Sequence, residues 1–298
     1  MNLPSFCKKS LATCFIILHI FAAFSQEQIK QGNLALPTSQ RPGPLFGFGQ
    51  NVFQPGDLLG FLFIPYIGRK HQQFTEINPS VIYGINNNSS IFYRIQSSPQ
   101  FKVGETRNSG LEDMFLQYEY APYFKRHYTS SDYFTLVGTL FFPTGNIKLP
   151  RAFGSPSVFL GFTTATVRVK WYIYMSHGAL LTTKHKGTKI GDEIIYQFGL
   201  GKNIAYRPNK WILNWLVEFF GLYSFKDKVK GITNPNTGGN FISIIPSLWF
   251  STQRLILQVG MGFVPTQHVN GTQNKFTYFG AVDLAFKFTG PALKNKYT

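Results

Sequence analysis

From residue 276 to 288 the chain alternates strictly. One set of positions reads Phe276, Tyr278, Gly280, Val282, Leu284, Phe286 and Phe288; the set between reads Thr277, Phe279, Ala281, Asp283, Ala285 and Lys287. A period of two places each set on its own face of a β-strand. The texture recurs at 112–120, where Met114, Leu116, Tyr118 and Tyr120 oppose Asp113, Phe115, Gln117 and Glu119. At 255–264, Leu255, Leu257, Val259, Met261 and Phe263 oppose Gln258, Gly260 and Gly262; at 193–201, Ile194, Tyr196, Phe198 and Leu200 oppose Glu193, Gln197, Gly199 and Gly201. Twelve strands are predicted: 57–67, 76–85, 90–96, 112–124, 132–142, 157–169, 172–183, 192–203, 211–224, 241–251, 254–264 and 276–288.

The gaps between them alternate in length. Those after the second, sixth and tenth strands are brief, as at Asn86-Asn87-Asn88-Ser89; those after the third, fifth, ninth and eleventh are long. Short turns at one end and long loops at the other predict an all-β, antiparallel up-and-down barrel of about twelve strands. An even count returns both ends of the barrel to the short-turn side. Before it, residues 26–56 are rich in Gly, Pro and Gln, as in Arg41-Pro42-Gly43-Pro44, and are expected to be an irregular lead-in or a plug. Residues 57–288 form the expected barrel and 289–298 a tail. Phe288 fits the aromatic position that closes such barrels, although ten residues follow it.

The residue types on the two faces decide which of them meets lipid. A soluble β-sandwich, the alternative fold, would show Lys, Thr, Ser and Glu outside and aliphatics inside. Here one face carries large aromatics, and the other carries glycine, small residues and single charges. That distribution suits lipid outside and a polar lumen inside. The 31 Phe and 15 Tyr point the same way. After Ser25 no run reaches the roughly eighteen apolar residues of a membrane helix; the nearest, 211–223, is broken by Asn214 and Glu218. A membrane-spanning reading therefore requires a closed barrel, because every backbone polar group in lipid needs an internal partner.

Residues 1–25 have the form of a cleaved signal peptide: basic Lys8-Lys9, an apolar stretch from Leu11 to Phe24, and Ala23-Phe24-Ser25 before Gln26. Both cysteines, Cys7 and Cys14, lie within it. The remainder has no cysteine for a disulfide, a metal or a nucleophile. Export and barrel together place the expected site in a bacterial outer membrane. The formal charge of +16 would suggest nucleic acid in an internal protein, but export argues against that partner. The lysines cluster in predicted loops, at 184–189 and 226–230, beside an anionic lipid surface or around an anion-collecting mouth. The expected partners are outer-membrane lipid and lipopolysaccharide, the barrel-assembly machinery and a small-molecule solute.

At Gln54-Pro55-Gly56-Asp57, Gly110-Leu111-Glu112-Asp113 and Leu140-Phe141-Phe142-Pro143-Thr144-Gly145 the chain resembles the outer-membrane proteins related to the meta-pathway phenol-degradation (MetA-like) transporter. The likeness runs loosely over 54–288, with Phe153-Gly154-Ser155-Pro156 a partial match to the Gly-rich stretch of that family. It implies a barrel that passes small molecules, hydrophobic ones among them, and supplies no catalytic residues.

No constellation points to catalysis, a cofactor or a metal. The histidines after the leader (His71, His127, His177, His185, His268) lack ligand spacing. Ser176 and His177 are strand neighbours and point to opposite faces. Gly199-Leu200-Gly201 lacks the rest of a phosphate loop. The candidate site is the lumen: Arg94, Asp113, Glu119, Arg168, Glu193, Asp283 and Lys287 are expected to point inward, lining a permeant path or forming a structural salt-bridge ladder. An unpaired Arg or Lys facing lipid at mid-membrane would cost about 2–4 kcal/mol. The leading function is passive passage of small solutes. A non-conducting adhesion barrel, a lipid-modifying barrel enzyme and a secreted soluble β-protein are the alternatives.

Overall fold

The computed structural model describes residues 32–49, 53–69 and 72–288. The leader expected at 1–25, the start of the lead-in at 26–31 and the tail at 289–298 lie outside the described residues. Two single-turn 3-10 helices, Gly32–Leu34 and Thr38–Gln40, precede nineteen strands. These are β1 (Leu58–Arg69), β2 (Gln72–Thr75), β3 (Asn78–Asn86), β4 (Ser89–Arg94), β5 (Ser97–Val103), β6 (Thr106–Leu111), β7 (Met114–Arg126), β8 (Ser130–Phe142), β9 (Ser157–Arg168) and β10 (Trp171–Leu181). They continue as β11 (Lys184–His185), β12 (Thr188–Lys189), β13 (Glu193–Arg207), β14 (Trp211–Ser224), β15 (Lys228–Val229), β16 (Ile232–Thr233), β17 (Gly239–Thr252), β18 (Leu255–Val269) and β19 (Phe276–Phe288).

Each strand pairs antiparallel with its neighbour, and β19 closes on β1, from Leu58 opposite Phe288 to Arg69 opposite Phe276. The result is a closed twelve-stranded barrel without a free edge. Three of its staves are broken: β2 with β3, β4 with β5 and β6 with β7 each make one. At the first break Glu76 N–H bonds Pro65 O and Ile77 N–H bonds Ser97 O, so the ladder continues through the irregularity. The segments 72–75, 97–103 and 106–111 lie outside the predicted strands, yet they carry the wall upward. They are largely polar, as at Gln72, Gln73, Lys102 and Arg107, and are held by backbone pairing and by Phe74 packed edge-on against Phe101 (ring centres 6.1 Å apart). Likewise two predicted loops fold into β11, β12, β15 and β16, a small four-stranded sheet.

The wall sorts its residues by face. On β14, Ile212, Asn214, Leu216 and Glu218 are buried, whereas Phe219 and Tyr223 are exposed outward. On β19 the outward set is Tyr278, Val282, Leu284, Phe286 and Phe288, with Phe279, Ala281 and Ala285 buried inside. The outer wall is thus a continuous apolar belt, a surface stable against hydrocarbon rather than water. Phe276 departs from its period. A register shift between Gly68 and Arg69 turns it into the mouth, where the Arg69 guanidinium lies 3.8 Å over its ring.

Residues 32–49 lie inside the barrel. The segment starts at the short-turn end, where Asn33 N–H donates to Val169 O (2.9 Å) and Asn209 N–H donates to Ala35 O (3.1 Å). Leu34 and Leu36 bury in one cluster with Tyr133, Tyr172 and Ile212 of the wall. Each such side chain contributes about 1.5–3 kcal/mol. Arg41 Nη1 donates to Ser131 Oγ (2.7 Å) and Ser251 Oγ donates to Gln40 O (2.7 Å). After residue 49 the chain returns to the short-turn end: Phe53 joins the cluster of Leu34, and Gly56 N–H donates to Gly84 O at 2.9 Å.

Candidate functional site: the lumen and its plug

The tip of the inner segment is fixed by three wall side chains. Glu218 of β14 accepts the N–H groups of Leu45 (2.7 Å, Oε1) and Phe46 (3.3 Å, Oε2). Gln197 Nε2 donates to Phe46 O at 2.9 Å, and Thr163 Oγ1 donates to Phe48 O at 2.6 Å. Tyr174 Oη also donates to Glu218 Oε2 at 3.1 Å. The segment has no strand ladder of its own here, so side chains take the place of one. In the sequence Glu218 stands out only as an interruption of an apolar run. Its inward position shares the even face of β14 with Asn214, and that period is the signal that could have found it.

Two cavities lie along the lumen on either side of this tip. The inner one, about 200 Å³, is walled by Phe61, Phe63, Phe92 and Phe115, with Arg94, Gln117, Glu119 and Asp283 as its polar groups. The outer one, about 190 Å³, is walled by Ile67, Phe74, Phe220, Phe241, Phe276 and Phe279, with Arg69, Arg151 and Glu193. Phe46 lines both. Its ring meets Phe63 edge-on (centroids 5.6 Å apart), meets Phe279 edge-on (5.3 Å) and lies tilted against Phe220 (6.5 Å). One phenyl ring therefore divides the two chambers. Above the outer one a mouth of about 430 Å³ opens among Gln72, Phe101, Gly191 and Asn274.

The seven charged residues named from the sequence separate into distinct places. Arg94, Glu119 and Asp283 face the inner chamber. The Arg94 guanidinium lies 4.9, 5.3 and 5.6 Å from the ring centres of Phe92, Phe63 and Phe115, an aromatic cage for a cation. Glu193 faces the outer chamber and accepts from Ser224 Oγ (3.3 Å). Lys287 sits low in the lumen, 2.7 Å from Asp57 and 3.1 Å from Ser39 Oγ, and ties the last strand to the start of the first. Asp113 is buried but lines no chamber: its carboxylate accepts the N–H groups of Gly145 (2.9 Å) and Phe153 (2.8 Å), clamping loop 143–156. Arg168 corrects the inward expectation. It lies on the outer face of β9, half-exposed, 3.4 Å from Asp132. Its place at the last residue of the strand, beside the short turn, removes the mid-membrane cost that motivated an inward position.

Arg69, Arg151 and Glu76 complete the outer part of the lumen and were missed in the sequence. Arg151, in loop 143–156, donates from Nε to Glu76 Oε1 at 3.1 Å, and the Glu76 carboxylate beside it raises its pKa further. Nothing in a single sequence pairs two residues 75 positions apart. Ser176 and His177 do point apart: Ser176 bonds Thr163 inside, and the His177 ring packs on Phe162.

No family model matches the chain, and no curated protein matches it by sequence. Among solved structures it is similar to the COG4313 outer membrane channel from Pseudomonas putida F1. The TM-score is 0.66 at 12% identity, covering 83% of this chain and 99% of that one. The likeness is one of fold. The NanC porin follows at a TM-score of 0.49 and 11% identity, covering 77% of this chain and 100% of that one. LpxR from Salmonella typhimurium stands at 0.44 and 7%, covering 78% and 100%.

Proposed function

We propose that this chain is a channel of the bacterial outer membrane for small solutes with a compact apolar body, closed in this conformation by Phe46. The observation that carries the reading is the pair of aromatic-walled chambers in line along the lumen, parted by one side chain of a segment that is not part of the wall. A barrel serving only as a scaffold would be expected to fill that space with wall side chains. The phenylalanine walls favour apolar surface on the solute, while Arg94, Asp283 and Glu193 offer it charged partners in turn. The fold shared with an outer membrane channel supports the class of function, and the sequence resemblance to MetA-like transporters supports the solute class. Passage requires the tip to swing or the Phe46 side chain to rotate, and the tip's polar anchors set how readily it does so.

Uptake by liposomes tests this. Vesicles carrying the purified full-length protein should admit a small aromatic solute faster than a hydrophilic solute of equal size. Phe46→Ala should raise the rate of both several-fold. Uptake equal to that of empty vesicles for both forms, with the barrel folded, would overturn the channel reading.

A further inference from the structure

The lysine-rich loops after β10 and β14 do not stand apart. Each folds into a two-residue hairpin with the same tip, Lys186-Gly187 and Lys230-Gly231, and all four residues have positive φ (47°, 84°, 50° and 84°). This is the type I′ geometry, whose first position favours Asn, Asp or Gly. Lysine there is conformationally costly. The tips bond each other, with Lys230 N–H donating to Gly187 O at 2.8 Å, and β12 pairs with β15 to make one sheet.

Cross-strand register then aligns the charges. Lys184 lies opposite Lys189, Lys189 opposite Lys228 and Lys228 opposite Thr233, so three lysines form a row on one face. Like charges directly opposite each other are unfavourable in a sheet. Of the nearby carboxylates, Asp192 pairs with Lys189 at 2.7 Å, and Asp227 accepts Gly191 N–H at 2.7 Å. Among the described residues, Lys184, Lys186, Lys226, Lys228 and Lys230 enter no ion pair. Lys189 and Lys228 of the row line a cavity of about 490 Å³ together with Lys226, Tyr223, Phe225, Asn240 and Asn270, and Asp192, the partner of Lys189, is the carboxylate in its wall. Tyr223 points outward from β14 beside its cross-strand partner Ile194, and the exposed pair Phe198 and Phe219 lies four residues further down the same outer wall. The cations therefore sit at the rim of the barrel, where the upper border of the lipid-facing belt meets the mouth, with which the cavity shares Gly191, Ser224, Phe225 and Asn240. Cations at the edge of an apolar wall suit an occupant that joins phosphate-like charge to apolar chains.

We propose that this cavity is a binding site for a phosphorylated glycolipid of the outer leaflet. Its phosphate lies among Lys189, Lys226 and Lys228, and its acyl chains lie along Ile194, Phe198 and Phe219. The proposal is independent of conduction through the barrel. It is tested by native mass spectrometry of the detergent-purified full-length protein with bis-phosphorylated lipid A, the same lipid dephosphorylated, and soluble pyrophosphate. The wild type should retain the phosphorylated lipid at least tenfold more strongly than either comparator. Lys226→Gln with Lys228→Gln should lower that retention at least tenfold, and Arg at both positions should restore it. Equal retention of the two lipids overturns the proposal. So does retention unchanged in the Gln variant, or pyrophosphate binding as strong as lipid binding, which would make the platform a trap for soluble anions. The comparison of the two lipids on the wild type decides even if the Gln variant fails to fold.

Discussion

At the scale of single residues, Glu218 and Phe46 hold opposite offices: one anchors the tip of the inner segment, the other obstructs the path. A carboxylate accepting two backbone N–H groups in a buried setting makes charge-assisted bonds, and leaving those donors unpaired costs about 1–3 kcal/mol each. Glu218→Ala should therefore loosen the tip while the barrel stays closed. Hydrogen exchange at Leu45 and Phe46 is expected to accelerate about ten- to hundredfold, with exchange in β14 unchanged. Protection of those two amides equal to that of the wild type would show that Gln197 and Thr163 suffice to hold the tip.

At the scale of elements, alternation made most of the wall legible. The period-two set of β19 places Val282 outside and Ala281 inside, as the burial of the strand shows. Arg at Val282 should destabilise the folded barrel in lipid by up to about 4 kcal/mol, read as a lower folded fraction. Arg at Ala281 avoids lipid but meets Leu45 and Phe63, with which Ala281 clusters, so it should leave the wall closed and displace the plug. Equal loss of folding at both positions would contradict this facing. What alternation did not reveal has physical reasons. The upper staves β2, β5 and β6 are short and largely polar, and Phe74 and Phe101 are too few to show a period. The plug has no periodicity and is held by side chains from distant strands. Arg168 shows the limit of a rule drawn for mid-membrane depth when it is applied at a strand end.

The loop elements carry their own pH dependence. Burial alone would raise the pKa of Asp192, but Lys189 and the N–H and hydroxyl of Thr182 outweigh it and hold it below the ordinary carboxylate value. A depressed folded pKa contributes stability above the unfolded value of about 3.9 and loses it as the pH falls through the folded one. Proteolysis within 182–192 should therefore be constant from about pH 7 to pH 5 and should increase only below about pH 4. An increase already between pH 7 and 5 would mean that another group governs the loop.

At the scale of the whole molecule, closure of β19 on β1 completes the backbone pairing of the wall without the inner segment. The inner segment is held by hydrogen bonds, among them Lys287 Nζ to Ser39 Oγ near its base, and by apolar burial. The wall can thus stay intact while the path through it opens and closes. Single-channel recording in a planar bilayer tests that most directly, comparing the full-length protein with Phe46→Ala. Removing the ring should join the two chambers, so the variant should conduct in discrete steps several-fold larger than those of the wild type. Identical conductance in the two folded forms, or none in either, would contradict a path divided by Phe46.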